Sequence, residues 1–98
     1  MINLESKYLM IIKDILNRYI PERKVGIFGS RITSKTKPFS DVDLVIFGDT
    51  PLTWEQQSSL ANAFSASDLP IRVDVVDWST TSEEFRKIIQ TNFEDLTS

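Results

Sequence analysis

Asp41-Val42-Asp43-Leu44-Val45-Ile46-Phe47 is the stretch on which the fold turns. Its apolar residues are mostly β-branched or aromatic, which favours an extended strand. Side chains alternate across a strand, so Val42, Leu44 and Ile46 face one way while Asp41, Asp43, Val45 and Phe47 face the other. Asp41 and Asp43 therefore leave the same face, with Cα atoms about 6.6 Å apart at a rise of about 3.3 Å per residue. That spacing suits two carboxylates converging on one or two hard cations. Without a cation, two carboxylates about 5 Å apart repel by roughly 3 kcal/mol at an effective dielectric near 20, and by under about 1 kcal/mol in open water.

Upstream, Lys24-Val25-Gly26-Ile27-Phe28 reads as a strand that stops at a tight turn, Gly29-Ser30. A glycine lets backbone approach a phosphate closely. The amides that follow, with the Ser30 hydroxyl, suit an anion. Arg31, Lys35 and Lys37 lie in the next segment, where a short helical turn and a loop are expected; they either supply charge to a triphosphate or form a solvated loop. Downstream, Ile71 to Val76 is a further strand, with Arg72 and Asp74 on one face and Ile71, Val73 and Val75 on the other. Asp74 is a candidate third carboxylate. Asp77 ends that strand or caps a turn, and Arg72 neutralises the carboxylates in the metal-free state, contacts phosphate, or makes a plain surface ion pair.

The helices follow from apolar periodicity. Leu4, Tyr8, Ile11, Ile12, Ile15, Leu16 and Tyr19 predict an amphipathic helix over residues 4–19, ended by Pro21. Thr53 and Gln56 form a capping-box pattern opening a helix through about Ser65. Residues 79–84 hold two overlapping capping boxes before a final helix marked by Phe85, Ile88, Ile89 and Phe93. The aromatic pairs Tyr8/Tyr19 and Phe85/Phe93 are expected in the core. Trp54 is expected to pack, and Trp78 either packs or meets a partner. The order is α-β-(short α)-β-α-β-α: a small α/β (α+β) domain spanning 1–98, with a small mixed β-sheet and helices packed on it.

Composition narrows the chemistry. The chain has 98 residues, enough for one domain. It contains neither cysteine nor histidine, which removes disulfides, thiolate zinc sites and every Ser-His or Cys-His scheme. Catalysis has to rest on carboxylates, cationic side chains, hydroxyls and metal. A net charge of −3 argues against direct nucleic-acid binding through phosphates. It leaves a nucleotide substrate open, because a metal supplies positive charge locally. No apolar run is long enough to span a membrane. The acidic, amphipathic start is unlike a secretion signal, so a cytoplasmic protein is expected.

Gly29-Ser30-Arg31, then Ser40-Asp41-Val42-Asp43-Leu44 and the later strand aspartate Asp74, resemble the signature of the DNA polymerase β-like nucleotidyltransferase superfamily. The small size is similar to its minimal nucleotidyltransferase (MNT) family. That resemblance implies the polymerase β-like fold. It implies that Gly29, Ser30 and Arg31 bind the nucleotide, with ATP as substrate. It also implies that Asp41, Asp43 and Asp74 are catalytic and ligate Mg2+, two ions in all, Asp74 assisting deprotonation of the acceptor hydroxyl. The implied reaction is in-line attack on the α-phosphorus, with pyrophosphate leaving. The resemblance further implies a HEPN ribonuclease toxin as partner in a hetero-oligomer, the MNT protein being the antitoxin that transfers AMP to a toxin tyrosine. Two other functions stay open: a binding-only antitoxin without turnover, and a small-molecule nucleotidyltransferase completed by a second subunit.

Overall fold

A computed structural model describes residues 4–29 and 41–96. The elements in chain order are α1 (Ser6–Tyr19), β1 (Val25–Phe28), β2 (Val42–Ile46), α2 (Trp54–Ala66), β3 (Val73–Asp77), a 3-10 turn (Trp78–Thr80), α3 (Glu83–Thr91) and β4 (Phe93–Asp95). The strands form one mixed sheet in the order β3-β2-β1-β4. β1 runs antiparallel to both β2 and β4, whereas β3 runs parallel to β2. The expected turn and loop over residues 31–40 lies outside the described residues.

Strand parity divides the core in two. Val25, Ile27, Val42, Leu44 and Ile46 pack with Ile12 and Leu16 of α1 and Leu60 and Phe64 of α2. On the opposite face Phe28 and Val45 pack with Ile89 of α3, and Phe47, Val76 and Trp78 close around them. Helices thus cover both faces, and α3 shares its face with the aspartates. All of β1 and most of β2 are buried, because both are central strands clad on two sides.

The ends of the elements have local causes. At α2 the expected capping box is present: the Thr53 hydroxyl accepts from the Gln56 N–H, and the Gln56 side chain accepts from the Thr53 N–H. The boxes expected before α3 do not form. Ser82 is the N-cap and accepts from the Phe85 N–H, while the Thr80 and Thr81 hydroxyls donate to the Asp77 carbonyl.

Phe93 is not helical, contrary to the expected final helix. The Asn92 N–H still donates to the Ile89 carbonyl, and the chain then leaves the helix at φ −157° and ψ 83°. Phe93 to Asp95 pair with Phe28 to Gly26, adding an edge strand. Gly26 makes this approach possible, since a Cβ there would lie 2.9 Å from Phe93 Cδ2 and 3.3 Å from the Glu94 carbonyl oxygen.

Three expectations about aromatics are corrected. Trp54 is 81% exposed rather than packed, because the first turn of α2 projects past the core. Tyr19, Phe85 and Phe93 keep more than a third of their surface exposed, and Tyr8 is only half-buried beside the Lys7 ammonium. The aliphatic side chains Ile12, Leu16 and Ile89 form the helical part of the core instead. Among the described residues no helix is long and apolar enough to cross a membrane.

Candidate active site

The end of β1 and the starts of β2 and β3 meet at one margin of the sheet. The ladders place Phe28 opposite Asp43, and Asp43 opposite Asp74. Neighbouring strands lie about 4.8 Å apart, and paired residues point to the same face. Asp43 and Asp74 therefore stand side by side on the face that also carries Phe28. The strand parity read for both aspartates is the one observed.

Gly29 continues directly from Phe28, with φ +79°. A Cβ at this position would lie 2.5 Å from Asp43 Oδ2. Glycine is needed on two counts: the backbone is in the left-handed region, and the carboxylate occupies the space a side chain would take. Ser30 and Arg31, the other expected nucleotide-binding residues, lie outside the described residues.

Asp41 sits one residue before β2 and is exposed. The Val42 N–H donates to the Arg72 carbonyl at 2.9 Å, which ties the start of β2 to the approach to β3. Asp74 pairs with its own neighbour: Arg72 Nε lies 3.1 Å from Asp74 Oδ1. Among the described residues no three carboxylates converge closely enough to hold a metal ion. Asp43 and Asp74 are brought together, Asp41 flanks them, and Arg72 takes the position of counter-cation.

The electrostatics are those of a site short of positive charge. Burial pushes the Asp43 carboxyl above its ordinary value, and the charges of Asp74 and Asp41 push it further the same way. An all-oxygen donor set in which neighbouring carboxylates push the Asp43 carboxyl up fits a hard divalent cation such as Mg2+.

Asp77 belongs to a different structure at the other end of β3. It accepts from the Leu52 N–H at 2.8 Å, and from the Ser79 N–H and hydroxyl at 3.0 and 2.8 Å. Burial raises its carboxyl, but these hydrogen bonds and the Arg23 charge outweigh burial and leave it below the ordinary value. Asp77 both ends β3 and caps the turn after it, the two roles open to it from sequence. Trp78 packs against Phe47, with ring centroids 5.2 Å apart, and carries the Arg86 guanidinium 4.9 Å from its ring.

A recess of about 760 Å³ runs between α2 and the free edge of β3. It reaches Arg72 and Asp74 but neither Asp43 nor Gly29, so it borders the carboxylate site without being that site.

Comparison with known proteins identifies the family. The family described as polymerase beta, nucleotidyltransferase, matches residues 11–97. The chain is 47% identical over 89 residues to the probable protein adenylyltransferase MntA of Haemophilus influenzae, covering 91% of this chain and 78% of that protein. A crystal structure of a toxin–antitoxin with AMP-PNP superposes with a TM-score of 0.74 at 26% identity, over 90% of this chain and 71% of that one. A tri-AMPylated Shewanella oneidensis HEPN toxin in complex with MNT antitoxin gives a TM-score of 0.70 at 23% identity, over 95% and 71% of the two chains, a likeness of fold. The family match begins within α1 and runs past β4, so it takes in every strand that builds the carboxylate margin. The chain belongs to the polymerase β-type nucleotidyltransferase family.

Proposed function

We propose that this protein is a metal-dependent protein adenylyltransferase of the MNT type. It transfers AMP from ATP to a tyrosine of a HEPN ribonuclease toxin, releases pyrophosphate, and so acts as the antitoxin of a cytoplasmic hetero-oligomer. The observation that carries this reading is Gly29 packed against Asp43 with Asp74 directly across the ladder. A phosphate-approach turn and paired carboxylates then share one margin of one sheet. The 47% identity to the probable protein adenylyltransferase MntA supports AMP transfer in particular.

In this reading 1–98 is one nucleotidyltransferase domain. The backbone at Gly29, with Ser30 and Arg31, receives the triphosphate, and Asp41, Asp43 and Asp74 hold two Mg2+ ions. Bound there, Mg2+ neutralises the triphosphate and polarises the phosphorus under attack. Asp74 takes the proton of the tyrosine hydroxyl as the oxygen bonds to the α-phosphorus. The bond to the pyrophosphate oxygen breaks on the opposite side. Lack of histidine is no obstacle, because a carboxylate is a sufficient base for a phenol whose acidity rises beside a cation.

The test is incubation with α-labelled ATP, Mg2+ and the partner toxin. Label is expected on toxin tyrosine, and Asp41→Asn plus Asp43→Asn is expected to abolish it while complex formation persists. A complex that neutralises the toxin with no label transferred would establish a binding-only antitoxin instead. A small-molecule nucleotidyltransferase needs an acceptor pocket from another subunit. A spectinomycin adenyltransferase from Enterococcus faecialis shares the fold at a TM-score of 0.54, and this chain spans 48% of it.

A further inference from the structure

Arg72 does not belong to the set of residues assigned above, yet it touches that set twice. Its carbonyl accepts from the Val42 N–H at 2.9 Å, between Asp41 and Asp43 in sequence. Its Nε lies 3.1 Å from Asp74 Oδ1. The side chain of Arg72 is 75% exposed and that of Asp74 38% exposed, so the pair sits at the solvent edge of the site. Asp74 in turn stands opposite Asp43, the carboxylate that burial and neighbouring charge disfavour. A guanidinium is a cation that is never lost by titration. Here it offsets the charge of Asp74 from the solvent side.

We infer that Arg72 is a positioning residue that acts through Asp74: a resident counter-cation competing with Mg2+ for the same carboxylate and released from it when the metal binds. The inference rests on the metal-dependent reading above and extends it to how the site is held before metal arrives. Three features support it. The contact is made to an oxygen of one of the proposed ligands. The guanidinium is exposed, so it is free to swing into solvent at little cost. The Arg72 backbone is pinned to the start of β2, so the side chain always departs from the same point beside the site.

An exposed ion pair contributes little, which makes the latch reversible and bounds its effect. Removing it is expected to tighten Mg2+ binding about two- to fivefold, the range such pairs support. A loss of folding stability large enough to disturb the sheet is not expected.

The test titrates Mg2+ into the whole chain and into Arg72→Gln by calorimetry, in the absence of nucleotide. Tighter binding to the variant supports the latch, and equal or weaker binding overturns it. Removing any nearby positive charge also favours a cation, so a second readout follows the contact itself. The Arg72 Nε–Hε signal, identified by its loss in Arg72→Gln, is followed by ¹H–¹⁵N spectroscopy. It is expected to be protected from water in EDTA and to move toward that of a free arginine at saturating Mg2+. A signal unprotected in EDTA, or unchanged by Mg2+, overturns the latch even if the variant binds more tightly. A wild-type chain that takes up no Mg2+ without nucleotide overturns the latch alone, because the metal-dependent reading completes the site with the triphosphate and is tested by label transfer. Wild-type binding with either of the negative Arg72 results overturns the latch alone.

Discussion

Asp43 is the residue at which burial and two neighbouring carboxylates act in one direction, and it bears that strain within a buried strand. Its raised carboxyl means that the folded chain holds the proton more tightly than the unfolded one. Ionising Asp43 therefore costs stability at pH above the raised value, and the cost disappears as pH falls below about 4. Asp43→Asn removes the penalty at neutral pH. Since Asp43 is half-buried, solvent screening keeps the gain below about 1 kcal/mol, or a rise in Tm of up to about 4 °C. Thermal unfolding in EDTA should show that rise, and added Mg2+ should stabilise wild type but not the variant. Asp77 behaves in the opposite sense. Its lowered carboxyl supports stability at pH above about 3.8 and loses that support as pH falls through the folded value. Asp77→Asn should cost about 1 kcal/mol at neutral pH and flatten the acid limb of a stability profile. Gly29→Ala is the third residue-scale case. The methyl group meets Asp43 Oδ2 in a left-handed backbone, so nucleotidyl transfer should fall by at least about tenfold in a steady-state assay, with the chain still folded.

The elements show where local rules suffice. Thr53 and Gln56 are adjacent in the chain, their reciprocal cap needs no tertiary partner, and the sequence pattern names it correctly. Thr53→Ala should cost about 1 kcal/mol, measured by urea unfolding. β4 is the contrary case. Phe93 continues the helical spacing of Phe85 and Ile89, and nothing local ends the helix before it. What draws Phe93 to Asp95 into the sheet is the free edge of β1 and the space left by Gly26. Gly26→Val should push β4 from that edge and cost about 1–3 kcal/mol. Amide exchange should quicken at Glu94 and Leu96 with little change in β2. The Leu96 N–H donates to the Val25 carbonyl at 2.8 Å and so reports directly on β4 docking.

At the scale of the whole molecule, among the described residues, the carboxylates lie at an open margin where three strands meet. The large recess opens on Arg72 and Asp74 from the side and leaves Asp43 and Gly29 outside it. In the proposed function an acceptor is brought to this margin by a second protein. The isolated chain with ATP and Mg2+ should therefore modify free tyrosine or small phenols at a rate at least about a hundredfold below its rate on the partner toxin, because orientation accounts for much of the barrier. Comparable rates on free phenols would contradict the need for a partner.

Much of the chemistry is already contained in the order of residues. Strand periodicity alone puts Asp43 on the face opposite Val42, Leu44 and Ile46, and puts Asp74 opposite Val73 and Val75, whereas Asp41 lies just before the strand. The absence of histidine and cysteine leaves carboxylates, cationic side chains, hydroxyls and metal as the means of catalysis. A glycine followed by serine at the end of a strand indicates an anion-approach turn. These are local or compositional facts, and alternation of side chains is a property of the backbone. Tertiary structure decided the rest. Whether Asp74 stands beside Asp43 depends on a parallel ladder between segments thirty residues apart, and its register is set by buried side chains in α1 and α2. The carbonyl of Arg72 meets Val42 through that same ladder, whereas its charge reaches Asp74 by alternation of side chains. The exposure of Trp54 and the strand at Phe93 depend on which surfaces the other elements left uncovered. Alternation along one strand says which way a carboxylate points; packing between strands determines which carboxylate stands beside it.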